Sequence, residues 1–303
     1  MADTSYKPFE LNDRVVTRTL LHEAIPLTGT IISGTYGTFP NDTNVKNYSH
    51  GMFQSVYDYP FLSSSANHIF DITIGVSADS SLYSSVTSQK SKKKNIYNQM
   101  AQLLMGYDTN GKILRFDEDG DILTGGNKID NAIFINFARL LTKDEIKKES
   151  FEMKVGINAA SGSEMTTVTT IMDVSASTEY RVNSPAGEYG ILYATGNLPA
   201  GGNTETIGTD SYKKCGLIYY QAGIVVLSSS LFQDDGAGGL IDAATNSPAG
   251  CDWVDGTHSI QNALTGSEIS SSADAFRKRI QNIQFNNTTE LNSTVYFCRA
   301  NHN

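Results

Sequence analysis

Two short acidic stretches are the first places in this sequence where chemistry could sit. Asp108, Asn110 and Gly111 resemble the start of a calcium loop, as do Asp117, Asp119, Gly120 and Asp121. An EF-hand needs oxygen ligands at loop positions 1, 3 and 5, glycine at 6 and glutamate at 12. Counted from Asp117, the twelfth position is Lys128; counted from Asp108, the sixth is Ile113. Both registers fail, and two Asp/Gly turns are the expected structure. The histidines, His22, His50, His68, His258 and His302, form no HxH or HExxH pair. Trp253, flanked by Asp252 and Asp255 and downstream of Asp234 and Asp235, is the one arrangement suited to a sugar. An indole can stack on a pyranose while paired carboxylates act as acid and base. An anchor under a loop is the plainer role for the same tryptophan. No GxSxG elbow, GxxxxGK phosphate loop or GxGxxG turn occurs. The expected assignment is therefore no catalytic, cofactor-binding or metal residues, and no enzyme.

The cysteines agree with this. Cys215, Cys251 and Cys298 are odd in number and fit no common zinc spacing. They point to a reducing setting during folding.

The elements that would position such residues are mostly strands. RVVTRTL (14–20), TGTIISGTY (28–36), HIFDITIGV (68–76), AIFINFARLL (132–141), SFEMKVGI (150–157) and TTVTTIMDV (166–174) are rich in β-branched and aromatic residues. TEYRV (178–182), YGILYAT (189–195), CGLIYYQAGIVVLSS (215–229) and TVYFCRA (294–300) continue the series. In 68–76 strict alternation predicts one apolar face, Phe70, Ile72, Ile74 and Val76, against Asp71, Thr73 and Gly75. Gly223 predicts a tight hairpin or bulge. Helical spacing is found at 92–106, with a stripe of Ile96, Met100, Leu103 and Leu104, and at 272–284. Thr142 and Glu145 fit a capping box that would open a short helix. The lysines of KSKKK (90–94) read as a solvated loop or an edge guard. The fold expected is mainly β, with antiparallel sheets in a β-sandwich-like arrangement and two or three short helices. Residues 1–12 read as a polar arm, and 13–303 as a single elaborated domain or two interleaved ones.

Composition narrows the function. The 303 residues carry a net charge of −9, which disfavours nucleic acid as a partner. No run approaches the ~18 apolar residues of a membrane span, and no signal core opens the chain. Charged residues make up only 18%, with 15 Tyr and 13 Phe among abundant Ser, Thr, Asn and Gly. Small polar groups and tyrosine are cheap to bury against a neighbour. Contact regions are expected at the 37–50 loop, the aromatic segment 51–62 and the 196–212 loop.

Longer segments carry a resemblance. LNDRVVTRTLLHEAIPLTGTIISGTY, NYSHGMFQSVYDYPFLSSSANHIFDITIGV, KKNIYNQMAQLLMG, IFINFARLLTKDEIKKESFEMKVG, KCGLIYYQAGIVVL and TVYFCRANHN resemble virion structural proteins of contractile-tailed bacteriophages. The likeness is to phages of marine and cyanobacterial hosts and covers roughly residues 12–300. It implies a baseplate wedge component, or alternatively a neck or tail-terminator protein. It also implies a place in the virion after assembly in the host cytoplasm, with other virion structural proteins, and self-contacts, as partners. The resemblance brings no catalytic residues with it.

Overall fold

A computed structural model describes residues 8–26, 43–80, 88–121, 125–156, 160–161, 164–165, 168–196, 204–229, 269–277 and 279–298. In chain order the elements are β1 (Arg14–Pro26), β2 (Val45–Asn47), β3 (Gln54–Tyr57), β4 (His68–Val76), α1 (Ser88–Leu104), β5 (Asn131–Phe137), α2 (Arg139–Thr142), β6 (Glu145–Ile146) and β7 (Glu152–Gly156). There follow β8 (Ala160–Ser161), β9 (Glu164–Met165), β10 (Val168–Met172), α3 (Ala176–Glu179), β11 (Arg181–Ser184), β12 (Gly187–Gly196), β13 (Thr204–Ile207), β14 (Asp210–Tyr219), β15 (Ile224–Ser228), α4 (Ile269–Arg277) and β16 (Ile280–Tyr296).

The fold is mainly β, as expected. One antiparallel sheet of 14 strands runs β1-β16-β7-β10-β12-β14-β15-β5-β4-β3-β2, with β6, β11 and β13 added at its margins. The sheet does not lie flat. The rings of Phe137 on β5 and Phe285 on β16 are 5.1 Å apart, although five strands separate them in the sheet order. Six strand spacings of roughly 4.8 Å would put them about 29 Å apart on a plane. The sheet therefore curls until its two flanks face each other across the core. β6 bridges the approach: Ile146 pairs with Asn287 of β16, and its N–H donates to the Tyr220 carbonyl at 2.9 Å. The inner side is filled by Phe137, Phe151, Met153, Tyr220 and Phe285, all buried in one continuous apolar cluster.

The outer side of the central strands is also covered. β14 and β15 are joined by the turn at Gly223, whose φ of 68° is the left-handed conformation the turn needs. On β4, Thr73 and Gly75 are buried along with the apolar face, so the expected solvent face is not one. The reason is α1, which packs across β4. A Cβ on Gly75 would lie 2.9 Å from the Tyr97 backbone nitrogen. Only glycine lets the helix approach this closely.

Several local expectations change. α1 begins at Ser88, so the lysine cluster lies on its first turns and not in a loop; Lys93 is buried. The buried stripe is Ile96, Tyr97, Ala101 and Leu104, while Leu103 is exposed. Thr142 ends α2 instead of opening a helix, and the chain passes through Lys143 (φ 56°) into β6. The helix expected over 272–284 is α4 over Ile269–Arg277, and β16 starts at Ile280. Residues 280–284 are taken by the open edge of β7, where Ile283 sits opposite Met153. Residues 178–182 divide between α3 and β11. The segment 28–36 lies outside the described residues.

Candidate functional site

The acidic turns come first. In the Asp108 turn the carboxylate accepts the N–H groups of Asn110 and Lys112, both at 2.8 Å, closing an Asx turn. In the second turn Asp117 is buried and paired with the Lys128 ammonium, and it also accepts the Asp119 N–H at 2.8 Å. Asp119 pairs with Lys214 at 2.9 Å, and Glu205 joins the same lysine at 3.1 Å. Lysines thus occupy the space in which a cation would have to sit. Among the described residues no three His, Cys, Asp or Glu side chains converge as metal ligands.

The histidines are scattered. His22 meets Thr288 at 3.2 Å. The His50 ring stacks on Tyr48 with centroids 5.1 Å apart, and accepts the Met52 N–H. These two rings, with Phe53, Lys92 and Ser270, line an open recess of about 390 Å³. The Lys92 ammonium donates to the His50 carbonyl at 2.9 Å. His68 belongs to a polar chain that sequence reading missed. Its Nε2 contacts Asp71 at 2.8 Å, and the Ser55 hydroxyl donates to the same carboxylate oxygen at 2.5 Å. An activated serine needs the imidazole between hydroxyl and acid. Here the acid stands between the other two, so the serine is held by the carboxylate and not deprotonated by the ring. Asp71 raises the pKa of His68 above 6.5, chiefly through this hydrogen bond. Asp71→Asn is expected to bring the imidazole back toward its ordinary value. An NMR titration of the His68 ring would check this, and an unchanged midpoint would refute the coupling.

Sequence reading also passed over Asp173, an acid closing the apolar strand β10. It is almost wholly buried and accepts the N–H groups of Glu149 at 2.9 Å and Phe151 at 3.0 Å, with the Tyr220 hydroxyl at 3.0 Å. It ties the 147–151 turn, in which Glu149 has a φ of 60°, to the sheet. The only available signal was an acid at the end of a strand just before SAST. Cys215 is buried, and burial pushes its thiol pKa up; Cys298 is exposed. Trp253, Asp234, Asp235, Asp252, Asp255, Cys251, His258 and His302 lie outside the described residues. So do residues 37–42 and 197–203 of the expected contact loops.

What the fold brings to the surface instead is a ribbon. β1 pairs with β16 through 13 consecutive residues, from Arg14 opposite Tyr296 to Pro26 opposite Gln284. Over Leu291–Tyr296 the β16 strand has left the body and is exposed, as is its β1 partner. Phe9 of the N-terminal arm packs on Tyr296 with ring centroids 5.2 Å apart. Among the described residues, ten of the seventeen exposed large apolar side chains are here: Phe9, Leu11, Val15, Val16, Leu20, Leu21, Leu291, Val295, Tyr296 and Phe297. Such surface is concentrated here and not scattered, the pattern of a contact site.

No protein family, curated protein or solved structure matches this chain. Among the described residues no helix is long and apolar enough to cross a membrane.

Proposed function

We propose that this chain is a non-enzymatic structural subunit of a contractile phage tail, a baseplate wedge component acting through protein–protein contacts. The observation that carries the assembly part of the reading is the β1–β16 ribbon, which exposes apolar side chains far from the core. A two-stranded ribbon alone is marginal in water, so a partner that covers it would stabilise it. The acidic turns among the described residues support the same reading: Asp108, Asp117 and Asp119 are engaged in ion pairs and turns that stiffen the body, as a subunit holding fixed positions requires. The tail placement rests on the sequence resemblance. Its partners are then other virion structural proteins, met during assembly in the host cytoplasm.

Antibody–gold labelling of intact virions, followed by a particle map at a resolution that shows strands, tests the placement. Label at the baseplate and density for the curled sheet in each wedge are expected. Label at the collar would move the chain to the neck, and particles without label would remove it from the virion.

A further inference from the structure

The ribbon has two edges and two faces, and its backbone tells them apart. The Phe297 N–H donates to the Asp13 carbonyl at 2.8 Å. In an antiparallel ladder, inward and outward backbone groups alternate by residue. Odd residues therefore pair within the ribbon, while even residues of β1 direct N–H and C=O groups to its outer edge. The same alternation turns Glu290, Asn292, Thr294 and Tyr296 outward on β16; the Glu290 N–H indeed leaves the ribbon to meet the Asp144 carboxylate at 2.7 Å. Among the described residues nothing pairs with the outer edge of β1, or with that of β16 over Asn292–Tyr296. The β1–β16 register has no bulge and neither strand carries a lysine; charge on β1 is limited to Arg14, Arg18 and Glu23, and its proline, Pro26, is its last residue, so the usual devices that stop edges from pairing are sparse.

Side chains follow the same parity. Over Val15–Leu21 the odd face carries Val15, Thr17, Thr19 and Leu21 beside Leu291, Ser293 and Val295, a stretch with no charge. The even face carries Arg14 and Arg18 on β1, and Glu290 on β16, which pairs with Arg18 at 2.5 Å. Glu23, the one acid of β1, lies on the odd face.

We infer that the ribbon joins copies of this chain head to tail, the β1 edge of one copy adding to the β16 edge of the next. Charge selects this arrangement over a two-fold dimer. Pairing β1 with β1 about a two-fold axis sets even residues opposite even residues and gathers Arg14 and Arg18 of both copies on one face, where the one acid of each copy, Glu290, is already paired with its own Arg18. Pairing β1 with β16 instead sets those arginines beside Asn292, Thr294 and Tyr296, an edge that carries no base. Area points the same way. Eight residues of ribbon span roughly 27 Å, so one face offers about 270 Å², well short of the ~800 Å² per partner of a stable interface. Two edges engaged at once, with the uncharged face continuous across the copies, raise the covered area. A repeated heterologous contact closes into a ring when its rotation permits. This inference rests on the ribbon being a contact surface and not on the tail placement.

Two proline variants test it, because each removes an outward N–H while leaving the β1–β16 ladder intact. Val16→Pro blocks the β1 edge, and Thr294→Pro blocks the β16 edge. Sedimentation velocity and mass photometry of the full chain are expected to show oligomers larger than a dimer for the unaltered protein. Each variant alone should be monomeric. Their mixture should stop at a one-to-one dimer, since each supplies the edge the other lacks, and that dimer also demonstrates that both variants fold. Thr294→Pro assembling like the unaltered chain would overturn the head-to-tail arrangement. So would an unaltered chain that stays monomeric at about 100 μM, a result that leaves the tail placement to the particle map.

Discussion

Gly216→Ala is expected to destabilise the folded chain by about 3 kcal/mol, at the upper end of what overpacking costs. Gly216 lies on β14 opposite Leu227 of β15 and Leu192 of β12, next to the shift of register between Leu192 and Tyr193. A Cβ there would overlap the Val226 carbonyl oxygen and lie 3.1 Å from the Leu227 Cα. Those are main-chain atoms of a neighbouring strand that is itself clamped by β5. A side chain could rotate away, but a hydrogen-bonded strand cannot. Gly125, which has nothing within 4 Å of its Cβ position, is the control, and its alanine variant should stay within roughly 0.5 kcal/mol. Urea denaturation measures both. A lower midpoint with unchanged slope is expected for Gly216→Ala, and equal midpoints for the two variants would refute the packing account.

The second large effect is a dependence of stability on pH centred on Asp173. Burial pushes its pKa up from 3.8 to about 7, outweighing the three hydrogen bonds that favour the ionised form. The folded chain then keeps a proton that the unfolded chain releases. Stability from this group is fully present below about pH 3.8, falls as pH rises, and is lost above about pH 7. At about 1.4 kcal/mol per pH unit, the ceiling is roughly 4 kcal/mol. Other carboxylates titrate as well, so the useful quantity is a difference. Asp173→Asn is neutral at every pH and carries a fixed cost, because its amide NH₂ faces backbone donors. The advantage of the unaltered chain over this variant should shrink steadily between pH 4 and 7. An advantage that is constant across that range would show that Asp173 is ionised in the folded chain throughout.

Both predictions concern residues whose surroundings come from distant parts of the chain, and this divides what was readable from what was not. Alternation in 68–76 and 150–157 located β4 and β7, because a pleated strand imposes period two on any chain that forms it. Gly223 marked the β14–β15 turn for a local reason, since the turn requires a left-handed residue. The apolar strands were likewise written residue by residue, as was the β-branched composition of RVVTRTL.

Tertiary structure decided the rest. Residues 280–284 have helical spacing, yet they extend because the open edge of β7 offers a ladder of hydrogen bonds that an isolated helix cannot match. Thr73 and Gly75 look like part of a solvent face, yet both are buried, Gly75 directly beneath α1. Asp117 and Asp119 look like cation ligands until Lys128 and Lys214 arrive from elsewhere. The ribbon is the extreme case: Arg18 and Glu290 are 272 positions apart, and nothing in either segment names the other. Local propensity shows which residues can form a strand. Which edge that strand joins, and whether its apolar side chains end inside or outside, follows from the free energy of the whole sheet closing around its core.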